Sequence, residues 1–311
     1  MTRLAVRHAA RMLPRVEFLA SRQCGVITRA QALAGGISDD ELAGLVRSGA
    51  WRRQRYGVYE VSPAPDERTR LLRPLWGAVL VSGPGNVISG PSAAVVHGLD
   101  LVEVPSAVHL VSASPRSADG IRVTRRPRDV SCVEVDGLPV TDVVTTIIDC
   151  ARVLRFAEAV VVADAALRAR AFDKAMFLTP GASPRHSARA ARVLRFADGR
   201  SESVGESLAR VAMDAAGLPA PELQADLRGA SGKGYRADYF WPEFRVIGEF
   251  DGKLKYADKD ALWREKRRED DLRAAGHVFA RFGTADVHRP VELARIVRAA
   301  FARRPPGTVA I

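Results

Sequence analysis

The spacing of hydrophobic positions changes several times along the chain, and the changes outline its elements. Over residues 15–23, Val16, Leu19 and Ala20 fall on one helical face, and Gly25 stops the run. Thr28 stands where it can cap a short second helix, 29–34, ended by Gly35 and Gly36. Ser38 is a good cap for a third, 39–48, with Leu42, Leu45 and Val46 inward and Gly49 just past the end. Trp51 to Tyr59 then reads as two short strands. Helix, short helix, turn, helix and hairpin make the outline of a winged helix-turn-helix over residues 1–60.

Residues 61–180 mix strands (108–112 and 121–124) with helices. One helix starts at Thr141 or Asp142 and runs through Ile147, Ile148, Ala151 and Leu154; another covers 156–171. Pro180, Gly181, Ser183, Pro184 and Gly199 mark 181–200 as a linker that contains a short helix, 187–196. Residues 201–305 read α-β-β-α-β-α: helix 203–216, a hairpin of strands 235–240 and 244–251, a charged helix 262–275, strand 277–282 and helix 290–301. The fold class is therefore α/β (α+β), with a winged helix-turn-helix at 1–60, a mixed α/β middle domain at 61–180, a linker and an α-β-β-α-β core at 201–305.

Composition narrows the class. With 311 residues and 47% hydrophobic content the chain can bury a sizeable core. Cys24, Cys132 and Cys150 are too far apart for a zinc motif or a disulfide framework, which suits a reducing cytoplasm. The first residues hold no apolar run of signal-peptide length. The longest uncharged stretch, 74–99, is broken by glycine and proline, so no membrane span is expected.

The formal charge of +11 points to a polyanionic partner. It is unevenly placed: net +5 over residues 1–60, zero over 61–180 and +6 over 181–311. Arginine outnumbers lysine 41 to 6, a skew that codon bias also produces. In the N-terminal region the bases sit on the hairpin, Arg52, Arg53 and Arg55, while the third helix opens with Asp39, Asp40 and Glu41 and carries Arg47 as its one base. Those acids suit the helix dipole and repel phosphate. The pattern predicts backbone-dominated binding led by the wing with weak base readout; a winged helix used for protein contacts is the alternative.

Candidate chemistry lies between residues 236 and 256. On a strand, Glu249 and Asp251 share a face with Ile247 beneath them, and Asp238 on the partner strand can be brought alongside. Three converging carboxylates repel one another unless a cation neutralises them. Such oxygen-rich sets favour Mg²⁺ or Mn²⁺, which lower the pKa of a water and stabilise a phosphate under attack. Lys253 or Lys255 could orient that water. A surface salt-bridge cluster is the plain alternative. Glu206 has two readings, a fourth site carboxylate or half of the capping box Ser203-x-x-Glu206, and it could also pair with Arg210. The mixed-sign helix 262–275 reads mostly as a solvated helix.

Two resemblances extend this. Residues 198–304 resemble the Vsr-type endonuclease-like domain of the PD-(D/E)xK superfamily. The resemblance rests on Ser203-Val-Gly-Glu206, Gly217-Leu-Pro-Ala-Pro221-Glu-Leu-Gln224, Arg236-Ala-Asp238-Tyr-Phe-Trp-Pro242, Glu249-Phe-Asp251-Gly252 with Lys255-Tyr256, and the stretch 267–281. It implies a restriction-endonuclease-like core in which Asp238 and Glu249 bind the metal, Asp251 assists and Glu206 reaches in, with Arg267 and Arg281 on phosphates. The superfamily's acid-x-lysine is Glu249-Phe-Asp251 here, so an acid stands at the lysine position.

Residues 15–180 resemble the AbiEi-type antitoxin of type IV toxin–antitoxin systems. Gly25-Val-Ile-Thr28-Arg-Ala-Gln, Gly49-Ala-Trp51-Arg-Arg-Gln-Arg-Tyr-Gly57, Ser89-Gly-Pro-Ser92-Ala-Ala-Val-Val-His97 and Gly137-Leu-Pro-Val-Thr141 carry the likeness. It implies a DNA-binding winged helix, often autoregulatory, and a cognate toxin encoded elsewhere. Together the residues predict a cytoplasmic DNA-binding protein of bacterial defence or regulation with a metal-dependent endonuclease domain. The alternatives are a non-enzymatic repressor or antitoxin with a degenerate nuclease fold, and a protein-interaction module.

Overall fold

The computed structural model describes residues 14–114, 119–126, 130–174, 188–252 and 259–303. The fold is mixed α/β of the α+β kind, and the chain divides into two compact units, Met1–Leu154 and Arg155–Ile311.

The first unit opens with α1 (Pro14–Arg22), β1 (Val26–Thr28), α2 (Arg29–Ala34), α3 (Asp39–Arg47), β2 (Arg52–Arg55) and β3 (Val58–Glu60). The strands form an antiparallel sheet in the order β1-β3-β2. Both capping boxes form: Thr28 with Gln31 opens α2, and Ser38 with Glu41 opens α3. Val16, Ala20, Ile27, Leu42, Trp51 and Tyr59 pack beneath the helices.

The chain continues through α4 (Glu67–Ser82), β4 (Val87–Ile88), α5 (Gly90–Val96), β5 (Val108–Ser112), β6 (Ile121–Arg125), β7 (Cys132–Val135), β8 (Leu138–Thr141) and α6 (Val143–Val153). These strands form a mixed sheet in the order β6-β5-β4-β8-β7. Val26 of β1 and Val58 of β3 share one buried core with Leu72, Leu75 and Trp76 of α4 and with Ile88, Leu110, Leu138 and Val140 of the sheet. The predicted division at residue 60 therefore falls inside one compact unit. A buried polar link reinforces the junction: Arg73 on α4 donates from Nε to the Cys24 carbonyl (2.8 Å) and pairs with Glu60 on β3 (3.4 Å).

The second unit holds α7 (Phe156–Arg168), α8 (Ala188–Phe196), α9 (Val204–Ala215), β9 (Glu222–Arg228), β10 (Gly234–Trp241), β11 (Val246–Asp251), α10 (Lys259–Ala274), β12 (Val278–Gly283), α11 (Thr284–Val287) and α12 (Pro290–Phe301). Its sheet runs β12-β11-β10-β9, with β11 and β12 parallel and the other pairs antiparallel. On one face, Tyr239, Trp241, Val246 and Phe282 pack with Met213 of α9 and with Leu293 and Val297 of α12. On the other, Ala237, Ile247 and Phe279 pack with Leu272 of α10.

The predicted linker at 181–200 is not the boundary. Residues 181–187 lie outside the described residues, and α8 fills much of the rest. The division falls at Leu154, because α7 is tied to the C-terminal unit. Fully buried Asp164 on α7 accepts from Arg210 Nη2 on α9 (2.6 Å) and from the Asp198 amide (2.7 Å), and Arg168 donates to the Ser201 carbonyl (2.7 Å). Arg210 thus pairs with Asp164 rather than with Glu206. Strand β9 is an addition to the predicted α-β-β-α-β-α order.

Candidate functional site

In the second unit the site grows from the β10–β11 hairpin. Tyr239 faces Gly248, Phe240 faces Ile247 and Trp241 faces Val246, and Arg245 turns the chain with a left-handed φ of 53°. One register step further, Asp238 and Glu249 stand opposite each other where the ladder opens. The Asp238 carboxylate fills the opening: Oδ2 accepts the Phe250 amide at 3.0 Å.

On its other side β10 pairs with β9, Ala237 with Ala225 and Tyr239 with Leu223, which puts Gln224 across from Asp238. Gln224 has a φ of +52°, a conformation costly for a residue with a side chain. From there Nε2 donates to Glu206 Oε2 (2.9 Å). Glu206 also accepts the Glu202 amide (2.9 Å) and the Ser203 hydroxyl (2.8 Å), while Ser203 Oγ caps the Glu206 amide (3.2 Å). Glu206 is therefore a capping residue whose charge is also felt at the site. Half-buried Asp238 is pushed up to about 6, first by burial and then by the charges of Glu206 and Glu249, against the pull of the Phe250 amide and Arg268.

Glu249 and Asp251 lie on the sheet face covered by α10, as strand alternation predicts. Their partners are arginines. Arg281 on β12 is the register partner of Glu249 and reaches Glu249 Oε2 (2.9 Å), Glu265 (2.9 Å), Glu269 (3.0 Å) and Asp251 Oδ1 (3.4 Å). Arg268 on α10 donates Nη1 to Glu249 Oε1 (2.5 Å) and to Glu265 (3.1 Å), and Nη2 to the Arg236 carbonyl (2.8 Å). Burial raises the Glu249 pKa and the two arginines work against it.

A hard divalent cation needs several uncommitted oxygens at about 2.1 Å. Here both oxygens of Glu249 are held by guanidinium groups and one oxygen of Asp238 by an amide. Among the described residues no group of three or more His, Cys, Asp or Glu is disposed to hold a metal ion. As arranged, the set does not suit Mg²⁺ or Mn²⁺: Arg268 and Arg281 supply the positive charge.

Of the other predicted residues here, Lys253 and Lys255 lie outside the described residues, and Arg267 is exposed on α10. Arg281, expected on phosphate, is instead surrounded by four carboxylates. Arg268 and Gln224 carry roles the sequence reading did not assign. The Glu265-x-x-Arg268 spacing is a signal for the first, whereas nothing local announces the second.

In the first unit the acidic opening of α3 is exposed, and Asp39 pairs with Arg29 (2.5 Å). Arg52 pairs with buried Glu60 (2.7 Å), which is also bonded by Gln54 (3.2 Å), while its own side chain stays 76% exposed. Arg55 is half-buried, with Nε and Nη1 enclosed and without a hydrogen-bond partner among the described residues, and burial lowers its pKa. Arg47 is exposed in the last turn of α3, and Arg53 is exposed on β2 with its guanidinium 5.3 Å from the ring of exposed Tyr56. Arg47 and Arg53 therefore remain as outward cations, Arg52 is outward but paired with Glu60, and Arg55 is chiefly structural.

Fold and site together define an α+β protein with a three-stranded antiparallel sheet and short helices at the start of its first unit and an arginine-neutralised carboxylate centre in its second. The chain belongs to the family of the uncharacterized protein Rv2248 of Mycobacterium tuberculosis strain H37Rv and its counterpart MT2308 of strain CDC 1551. It is 32% identical to each over 259 residues, spanning 81% of this chain and 93% of theirs. No protein-family model matches the chain. The crystal structure of the RV2827C protein of the same species aligns with a TM-score of 0.36 at 20% identity, over 68% of this chain and 80% of that one, too distant to carry a structural conclusion.

Proposed function

We propose that this is a cytoplasmic DNA-binding protein of bacterial defence or regulation. In this reading the N-terminal unit grips the phosphate backbone through its wing, and the C-terminal unit keeps a nuclease-like fold for binding rather than cutting. The observation that carries the non-enzymatic part is the capture of both Glu249 oxygens by Arg268 and Arg281. Wing-led binding is supported by outward Arg53 on β2 and Arg47 in the last turn of α3, whose first turn is acidic instead. The resemblance to antitoxins adds a cognate toxin as a further expected partner. Among the described residues no helix is long and apolar enough to cross a membrane. Fluorescence anisotropy on duplex DNA tests the reading. Affinity should fall steeply with salt, and Arg53→Ala should weaken binding and reduce the salt slope by about one. No binding at low salt would overturn it.

A second reading, a Mg²⁺- or Mn²⁺-dependent endonuclease, is favoured by one specific observation: Asp238, Glu206 and Glu249 are close enough to raise the Asp238 pKa. It requires Arg268 to leave Glu249. Plasmid nicking in Mn²⁺ that is lost in both Asp238→Ala and Glu249→Ala would establish it and displace the binding-only reading.

A further inference from the structure

Helix α10 is nearly balanced in charge along its sequence, but the fold sorts the signs. Three of its described acids are engaged within the fold: Glu265 and Glu269 reach Arg281, and Asp271 accepts from Ser231 Oγ (2.6 Å) and Tyr235 (3.0 Å). Its outward residues are Trp263, Arg264, Lys266, Arg267 and Arg273, with Asp270 the single acid among them in the described part of the helix. What reads in sequence as a solvated mixed-sign helix presents a basic face to solvent.

Trp263 heads that face. Its side chain is 62% exposed, whereas Trp51, Trp76 and Trp241 are 4%, 8% and 2% exposed. The Lys266 ammonium lies 5.7 Å from its ring one turn on, and Arg267 follows. An exposed indole costs solubility and adds nothing to the core, and a cation beside it complements phosphate. An open aromatic face flanked by bases suits a strand whose bases are unpaired, because each base then offers a π-face that duplex stacking would hide.

We propose that the outward face of α10, with Trp263 as the stacking platform and Lys266 and Arg267 as phosphate contacts, binds single-stranded nucleic acid. This deepens the DNA-binding reading, on which it rests. It places a second contact in the C-terminal unit, selective for unpaired bases, in addition to the duplex contact of the wing.

The three buried tryptophans make the test direct. The full-length protein, in EDTA so that no cleavage intervenes, is titrated with oligothymidylate and with a duplex. The expected result is quenching of tryptophan emission by oligothymidylate and its loss in Trp263→Ala. That variant should bind the oligonucleotide about tenfold more weakly, the size of one base–aromatic stack. Trp263→Phe should keep most of the affinity, and K266E/R267E should weaken binding and flatten its salt dependence. An exposed position makes Trp263→Ala safe for folding, which an unchanged melting curve checks. Unchanged wild-type emission at saturation would overturn the proposal, as would equal affinity of Trp263→Ala. A loss of equal size on duplex and single strand would also overturn it, by making the face a backbone contact. Arg53→Ala separates the two claims: if it leaves duplex binding untouched the wing reading fails, while the oligothymidylate response stands or falls on Trp263 alone.

Discussion

Removing Arg268 leaves Glu249, 6% exposed, with Arg281 as its remaining cation. Breaking a buried pair from one side strands a charge, so Arg268→Ala is expected to cost roughly 3 kcal/mol in chemical denaturation. The double variant Arg268→Met with Glu249→Gln should recover most of it, since a buried pair replaced as a whole is often close to neutral. A full loss in the double variant would show that packing of the arginine stem, not its charge, matters. Asp238 behaves in the opposite sense. Its pKa is raised to about 6 in the folded protein, above the usual aspartate value. The favourable contribution is thus complete below the unfolded pKa and is lost as pH rises through the folded one, between about 4 and 6. Asp238→Asn keeps an oxygen for the Phe250 amide and removes the charge. It should raise the melting temperature by a few degrees at pH 8, at about 2–4 °C per kcal/mol, and change little near pH 4. A variant less stable at pH 8 would mean that the charged carboxylate has a favourable partner.

At the scale of elements, legibility in the sequence follows how locally each one is specified. The first helices are legible because their signals are local: Thr28 and Ser38 cap, Gln31 and Glu41 answer, and the glycines stop. Helix α4 is hidden because Leu72, Arg73, Leu75, Trp76, Gly77 and Ala78 are all buried, so no 3.6-residue stripe forms, and Pro74 stands inside it. Strand β9 alternates polar and apolar along its whole length, so its signal lies in the sequence; only the left-handed φ of Gln224 is set by the tertiary site. The carboxylates of the site were legible from period and register; their arginine partners come from α10 and β12, which only folding brings near. The join between α9 and the sheet is equally non-local. A Cβ on Gly205 would come within 2.0 Å of the Phe250 ring. Gly205→Ala, benign by helix propensity, is therefore expected to destabilise by about 1–3 kcal/mol through overpacking, read by urea unfolding. A stabilised variant would mean that Phe250 has another rotamer to retreat to.

For the whole molecule, charge and composition point to one boundary and packing to another. The glycine- and proline-rich stretch after residue 178 looks like a linker, yet α7 before it and α9 after it meet through Asp164 and Arg210, side chains that no local pattern relates. The +11 likewise divides into arginines spent inside the fold, such as Arg73, Arg210, Arg268 and Arg281, and those that reach solvent. This makes the domain division testable by fragments. A fragment of residues 155–311 retains α7 and should melt cooperatively. One of residues 201–311 loses the apolar faces of α7 and α8 and leaves Arg210, 9% exposed, without Asp164. Stranding that charge costs about 3–5 kcal/mol, a large share of the ~5–15 kcal/mol that holds a domain folded. The shorter fragment should therefore lose its sharp thermal transition in circular dichroism. Asp164→Asn in the full chain isolates the charge from the packing: it should lower the stability of the C-terminal transition while leaving α7 in place. If residues 201–311 melt as sharply and at the same temperature as 155–311, the boundary lies in the composition-marked stretch after all, and the Asp164–Arg210 pair is incidental to the C-terminal unit.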